Sequence, residues 1–194
     1  SWYLGNLEAV AKYLPHTQLF FSILMFNEAL KSNEIEGTVS TLQGPLPEFK
    51  DHADNKKVMN YYEAFKYGRE YLKDNNFSHD LLFQLHKLFF KDLEDSCVNA
   101  GKYRTDQNWI GGISIYEARF VPPPSDKILP LMDDLIAFIN DDDKDIPDLI
   151  KIAIAHYQFE TIHPFDDGNG RLGRMIIRLY LIKKGVIQHP LFVS

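Results

Sequence analysis

One dodecapeptide concentrates most of the side chains that could do chemistry. His163-Pro164-Phe165-Asp166-Asp167-Gly168-Asn169-Gly170-Arg171-Leu172-Gly173-Arg174 holds an imidazole, two adjacent carboxylates, a Gly-Asn-Gly turn and two guanidiniums. Pro164 disfavours helical dihedrals at His163, so an incoming helix is expected to stop there. Gly168 and Gly170 permit a backbone that points several N–H groups into one concavity. Apolar residues then resume at helical spacing, at Leu172, Met175, Ile176 and Leu179. The segment reads as helix, anion-cradling loop, helix N-terminus, and such a terminus suits phosphate. Arg171, Arg174 and Arg178 recur three and four apart and share one helix face. The first two lie where cations oppose the helix dipole unless an anion sits between them. That anion is read as a polyphosphate.

The stretch resembles the Fic family motif, H-P-F-x-D-G-N-G-R-x-x-R, with every specified position filled. A match of this length is far more specific than a lone glycine-rich loop. The resemblance implies an enzyme, a protein adenylyltransferase that moves AMP from ATP to a protein hydroxyl. That reaction needs in-line attack of the hydroxyl on the α-phosphorus, with pyrophosphate leaving. His163, with an ordinary imidazole pKa of about 6.5, suits the general base. Asp167 is a hard oxygen ligand suited to Mg²⁺, with Mn²⁺ as the alternative. The N–H groups around Gly168, Asn169 and Gly170, with the Arg171 guanidinium, would stabilise charge on the phosphates. The resemblance assigns the same roles and adds Arg174 as the γ-phosphate contact. Asp166 occupies the variable position and receives no role, while Phe165 is read as a core anchor. In the phosphate-transferring branch of the family the second glycine of the turn is lysine; here it is Gly170.

Helices must position this loop. Leu149, Ile152, Ala153, His156, Phe159 and Glu160 mark a largely buried helix starting near Pro147 and leading into the motif. Gly185 is expected to stop the helix that follows it. His156, Glu160 and His163 could in principle hold a metal, but the seven-residue spacing of the histidines is unlike the i, i+4 pair of zinc proteases. Upstream, apolar spacing predicts helices over Lys56 to Leu72 and from about His79 to Leu93, the second capped by Ser78. His79 and His86 are read as structural. Lys127 to Ile139 is another amphipathic stretch, and Thr38 to Asn55, with Gly44, Pro45 and Pro47, reads as a connector.

Two further segments extend the resemblance. Gly101-Lys102-Tyr103-Arg104, then Trp109-Ile110-Gly111-Gly112 and Phe120-Val121-Pro122-Pro123-Pro124, read as a short β-hairpin closed by a polyproline run. In the family this is the flap, which aligns an extended target segment by strand addition. Near the N-terminus, Leu7 to Leu14 and Leu19 to Leu30 have apolar residues at helical spacing, and the second run leads into Ser32-Asn33-Glu34-Ile35-Glu36-Gly37. Ser-x-x-x-Glu-Gly resembles the family's inhibitory helix, in which the Glu, here Glu36, pairs with the motif's second Arg, here Arg174. It thereby blocks the γ-phosphate position.

The resulting expectation is an all-α fold, a Fic-type helical bundle with a short β-hairpin flap next to the active-site loop. An N-terminal helical region, 1–60, would carry the inhibitory helix at about 19–37. A core, 61–194, would carry the flap at about 109–121 and the motif at 163–174. The net charge of −6 argues against nucleic acid as a partner. Cys97 is the single cysteine, which excludes a disulfide framework and fits a reducing, cytoplasmic setting. The run from Leu19 to Phe26 is too short to span a bilayer and lacks the flanks of a signal peptide. The implied partner is a protein substrate docked at the flap, with self-modification and a homodimer left open. Removal of AMP with the help of Glu36, or nucleotide sensing without transfer, are the competing readings.

Overall fold

The computed structural model describes residues 27–32, 35, 52–93, 99–142 and 145–187 of the 194-residue chain. A helical segment, 27–32, precedes five helices: α1 (His52–Asp74), α2 (His79–Phe89), α3 (Ile128–Asn140), α4 (Asp148–Ile162) and α5 (Asn169–Lys183). No strand occurs among the described residues; the fold there is predominantly helical. α1 lies against α2 and α5, and α4 lies against α3 and α5, so α5 is the central helix. Its apolar face, Leu172, Met175, Ile176 and Leu179, is buried against a core that includes Phe65, Leu81, Leu85, Phe89 and Phe159. Burying such side chains stabilises by about 1.5–3 kcal/mol each.

Local chemistry explains where these helices stop. Ser78 caps α2, its hydroxyl accepting the Leu81 N–H at 3.2 Å. α2 ends at Phe89, short of the Leu93 read from spacing, because Asn60 of α1 donates its side-chain amide to the carbonyls of Phe89 and Lys91. That donation satisfies acceptors that a longer helix would have used. Asn140, at the end of α3, both accepts from the Phe77 N–H and donates to the Phe77 carbonyl. It ties α3 to the α1–α2 turn. Gly185, at φ +67°, closes α5 with Val186 and Ile187 N–H groups folding back on the Leu181 carbonyl.

α4 is less buried than its composition predicts. Ile152, Ala155, Phe159 and Ile162 face the core, but Ala153, Leu149, Ile150, Ile154 and Tyr157 are exposed. Lys151 is buried instead, with its ammonium over the Phe138 ring and bonded to the Asp141 carbonyl. Its aliphatic stem fills a core position while the head reaches a carbonyl.

Of the expected hairpin, the described residues show one isolated antiparallel bridge, between Ile110 and Phe120, and no strand. Ile110 donates to the Phe120 carbonyl at 2.9 Å, and Phe120 and Arg119 donate back to Ile110. The intervening loop turns at Gly112 (φ +75°), where an added Cβ would lie 2.3 Å from the Glu117 carbonyl oxygen. It then forms a 3₁₀ turn, Ile115–Glu117, which replaces further pairing.

Candidate active site

The motif forms the elbow between α4 and α5. α4 ends at Ile162, and His163 takes a left-handed conformation, φ 49° and ψ 61°, donating its N–H to the Phe159 carbonyl at 2.9 Å. A residue other than glycine is uncommon there. Phe165 is fully buried, and Asn169 clamps it: the Asn169 carbonyl oxygen accepts the Phe165 N–H at 2.9 Å and its amide donates to the Phe165 carbonyl at 2.8 Å. Gly168 (φ +80°) is the cap of α5, wedged so that a Cβ would lie 3.2 Å from the Phe90 ring.

α5 begins at Asn169, one residue after that cap, so Gly170 lies in the first helical turn and needs no positive φ. The first helical hydrogen bond is donated by Leu172 to the Gly168 carbonyl. The N–H groups of Asn169, Gly170 and Arg171 therefore precede the helical ladder, at the positive end of the dipole. The Asn169 side chain is spent on Phe165, so what Asn169 offers an anion is its backbone.

Asp167 and Arg171 face each other across the elbow. One carboxylate oxygen accepts the Gly168 N–H at 2.6 Å, and the other accepts from the Arg171 guanidinium at 3.2 Å. The Asp167 side chain is 61% exposed, whereas Arg171 is buried with its guanidinium over the Phe90 ring, 5.0 Å from the centroid. Asp166 points outward and accepts from Asn99. No group of three or more His, Cys, Asp or Glu side chains that could hold a metal by itself occurs among the described residues. His156 and Glu160 sit one turn apart on α4, 4.0 Å from each other, against Gly173, where an added Cβ would lie 2.3 Å from the Glu160 carboxylate. A single carboxylate completed by substrate phosphates is the usual Mg²⁺ arrangement, so Asp167 fits an ion that arrives with a nucleotide.

The N-terminal segment meets the elbow through Ser32. Arg174 donates Nε–H to the Ser32 hydroxyl at 2.9 Å and a terminal N–H to the Ser32 carbonyl at 2.8 Å. One turn on, Arg178 pairs with Glu28 of the same segment and donates to the Tyr61 hydroxyl of α1. Glu28 and Ser32 thus oppose Arg178 and Arg174 in antiparallel order. Glu36 and Gly37 lie outside the described residues, as do Cys97 and the runs 1–26 and 38–51.

Two residues around the elbow carry roles that the spacing of the sequence does not show, Arg104 and His86. His86, fully buried, stacks on Phe165 with centroids 4.1 Å apart. Its Nε2–H donates to the Asp167 carbonyl and its Nδ1 accepts the Gly101 N–H, both at 2.8 Å. These partners define a neutral ring, because a second proton on Nδ1 would point at a donor. Burial accordingly holds its pKa below the ordinary range. In the unfolded chain the ring titrates near 6.5, roughly, so below that pH the unfolded state binds a proton that the folded state refuses. The stabilisation is complete above the unfolded value and is lost as pH falls toward the lowered folded one. Urea unfolding across this window is expected to show a steeper acid loss of stability in the wild type than in His86→Gln. Parallel profiles would contradict the assignment.

The elbow thus sets the left-handed His163 at the end of α4 a few residues before the Asn169, Gly170 and Arg171 amides that open α5. Residues 76–181 match the Fic/DOC family and residues 1–70 match the Fic/DOC family N-terminal region, and the chain belongs to the Fic/DOC family. It is 32% identical over 107 residues to protein adenylyltransferase fic-1 of Caenorhabditis briggsae, covering 55% of this chain and 19% of that protein. It is 28% identical over 177 residues to the probable protein adenylyltransferase aq_aa38 of Aquifex aeolicus, covering 87% and 51%. The chain thus spans about half or less of the length of these curated relatives. Among solved structures, a Fic domain containing signaling protein from Bacteroides thetaiotaomicron superposes with a TM-score of 0.75 at 19% identity, over 94% of this chain and 72% of that one. A Fic family protein from Desulfovibrio desulfuricans G20 gives 0.62 at 25% identity, over 91% and 52%. No helix among the described residues is long and apolar enough to cross a membrane.

Proposed function

We propose that this chain is a protein adenylyltransferase whose N-terminal segment restrains it. The observation that carries the reading is the elbow itself: His163 ends α4 within a few residues of the unladdered amides that begin α5. ATP would lay its phosphates on the N–H groups of Asn169, Gly170 and Arg171, with the Arg171 guanidinium adding charge and Arg174 taking the γ-phosphate. Asp167 would hold the Mg²⁺ that accompanies the nucleotide, and that ion supplies charge neutralisation at the phosphates. The hydroxyl oxygen of a target side chain forms a bond to the α-phosphorus as the bond from that phosphorus to the bridging oxygen breaks. Pyrophosphate leaves with the electron pair, and the hydroxyl proton passes to His163. The donors are fixed before reaction, which is where most electrostatic stabilisation of a transferring group originates.

The target docks beside this elbow on the flap. Ile113 and Tyr116 are 88% and 96% exposed there, and among the described residues no further strand pairs with the Ile110–Phe120 bridge. An extended peptide adding to that bridge would present its hydroxyl without sequence readout by the backbone.

Restraint is read from Ser32. While it holds Arg174, that guanidinium is oriented toward the N-terminal segment, and Glu36, four residues further along the sequence, would compete with the γ-phosphate for it. Glu36→Gly is expected to raise incorporation of AMP label at least about tenfold, equivalent to about 1.4 kcal/mol of restraint. The comparison uses ATP labelled at the α-phosphate and counts self-labelled chain as well as added target. Equal incorporation by the two forms would remove the autoinhibitory part of the proposal. Loss of label from a pre-modified target, dependent on Glu36, would instead favour AMP removal.

A further inference from the structure

We propose that Arg104 is a positioning residue that locks the base of the flap to the His163 backbone, so that the docking edge and the general base move as one unit. Arg104 is 2% exposed, and its acceptors are all backbone carbonyls. Nε–H donates to the His163 carbonyl at 2.9 Å, and one terminal nitrogen donates to the Asp106 carbonyl at 2.8 Å. The other donates to Pro123 at 2.5 Å and Ile162 at 3.4 Å. Its own backbone N–H donates to the Pro164 carbonyl at 2.9 Å.

These acceptors belong to two separate structures. Ile162, His163 and Pro164 are the end of α4 and the start of the elbow, where unpaired carbonyls and the negative end of the dipole favour a cation. Asp106 and Pro123 are the two feet of the flap, on either side of the Ile110–Phe120 bridge. Gln107 reinforces the second foot by donating to Pro122. One planar guanidinium therefore spans both feet and the left-handed residue that carries the imidazole. Lysine keeps the charge but offers a single point, and cannot reach three directions at once.

This inference rests on the transfer reading above, and its test separates the two. Arg104→Lys and Arg104→Gln are compared with the parent for transfer kinetics, nucleotide affinity and amide hydrogen exchange. Nucleotide affinity is expected to stay within about threefold, because the amides at 169–171 are not bonded to Arg104. In Arg104→Lys, kcat falls about a hundredfold, the scale of a small misplacement at a reacting centre, while KM for ATP changes little. In both variants exchange rises together at the Ile110 and Phe120 amides and at the His163 and Phe165 amides. A folded Arg104→Lys variant with parental kcat, or exchange that rises at one of the two sites alone, overturns the inference. If the parent itself transfers nothing, the transfer reading fails and the exchange comparison alone decides the coupling. If neither variant folds, native-state exchange of the parent replaces it: the four amides should open with one common free energy, and distinct values overturn the coupling.

Discussion

His163→Asn abolishes transfer while leaving the fold and the nucleotide site in place. Removing a positioned general base costs about 10²–10⁴-fold in rate, and His86 is held behind Phe165 with both ring nitrogens bonded to backbone. Asparagine is the informative replacement because His163 has φ 49°. Asn tolerates the left-handed region, whereas Ala there costs roughly 1–2 kcal/mol. His163→Ala should therefore lose as much activity and some stability besides, and His163→Asn should lose activity alone. Single-turnover AMP transfer and thermal unfolding, measured on both variants, separate the two effects. Transfer by His163→Asn within tenfold of the wild type would remove His163 from the chemistry.

Glu28→Ala is expected to have the largest effect on the N-terminal segment. Glu28 and Arg178 are 5% and 11% exposed, and burial pulls the Arg178 guanidinium down from its usual range. Removing one partner of such a pair strands a buried charge, which costs about 3–5 kcal/mol. That matches the whole of what two hydrogen bonds between Arg174 and Ser32 supply, about 3–6 kcal/mol together when a charge is involved, and the ordering of the segment counts against them. The segment should detach before the rest of the protein unfolds. Amide exchange at 27–32 should rise selectively, and AMP incorporation should increase alongside it. The double variant Glu28→Ala/Arg178→Met restores much of the stability, because an apolar side chain carries no stranded charge. Unchanged exchange at 27–32 in Glu28→Ala would show that this pair does not hold the segment.

What was legible beforehand was local. Pro164, Ser78 and Gly185 each act on their own backbone, and each marks a helix boundary near where the residue types place it. The helical class follows from apolar spacing for the same reason. Other features depend on partners far along the chain. α2 ends early because Asn60 reaches its carbonyls from α1. His86 meets Asp167 from 81 residues away, and nothing in its own surroundings in sequence distinguishes it from His79. Arg104 was visible only as the last residue of a Gly-x-Tyr-Arg string, because its acceptors are carbonyls and carbonyls have no residue type. α4 misled for a different reason. Its apolar residues occupy both faces, and composition cannot say which face a neighbouring helix will cover. Gly170 reads as a turn residue beside Gly168, yet of the two glycines only Gly168 is left-handed.

The most direct test of the whole account asks which phosphorus reaches the acceptor. Glu36→Gly protein with Mg²⁺ is given ATP labelled at the α-phosphate in one reaction and at the γ-phosphate in another, and protein-bound label is counted in each. The elbow described here predicts stable label from the α-phosphate alone, with the γ-label released as pyrophosphate, and neither signal after His163→Asn. Label from the γ-phosphate, or tight ATP binding with no label from either position, would contradict it.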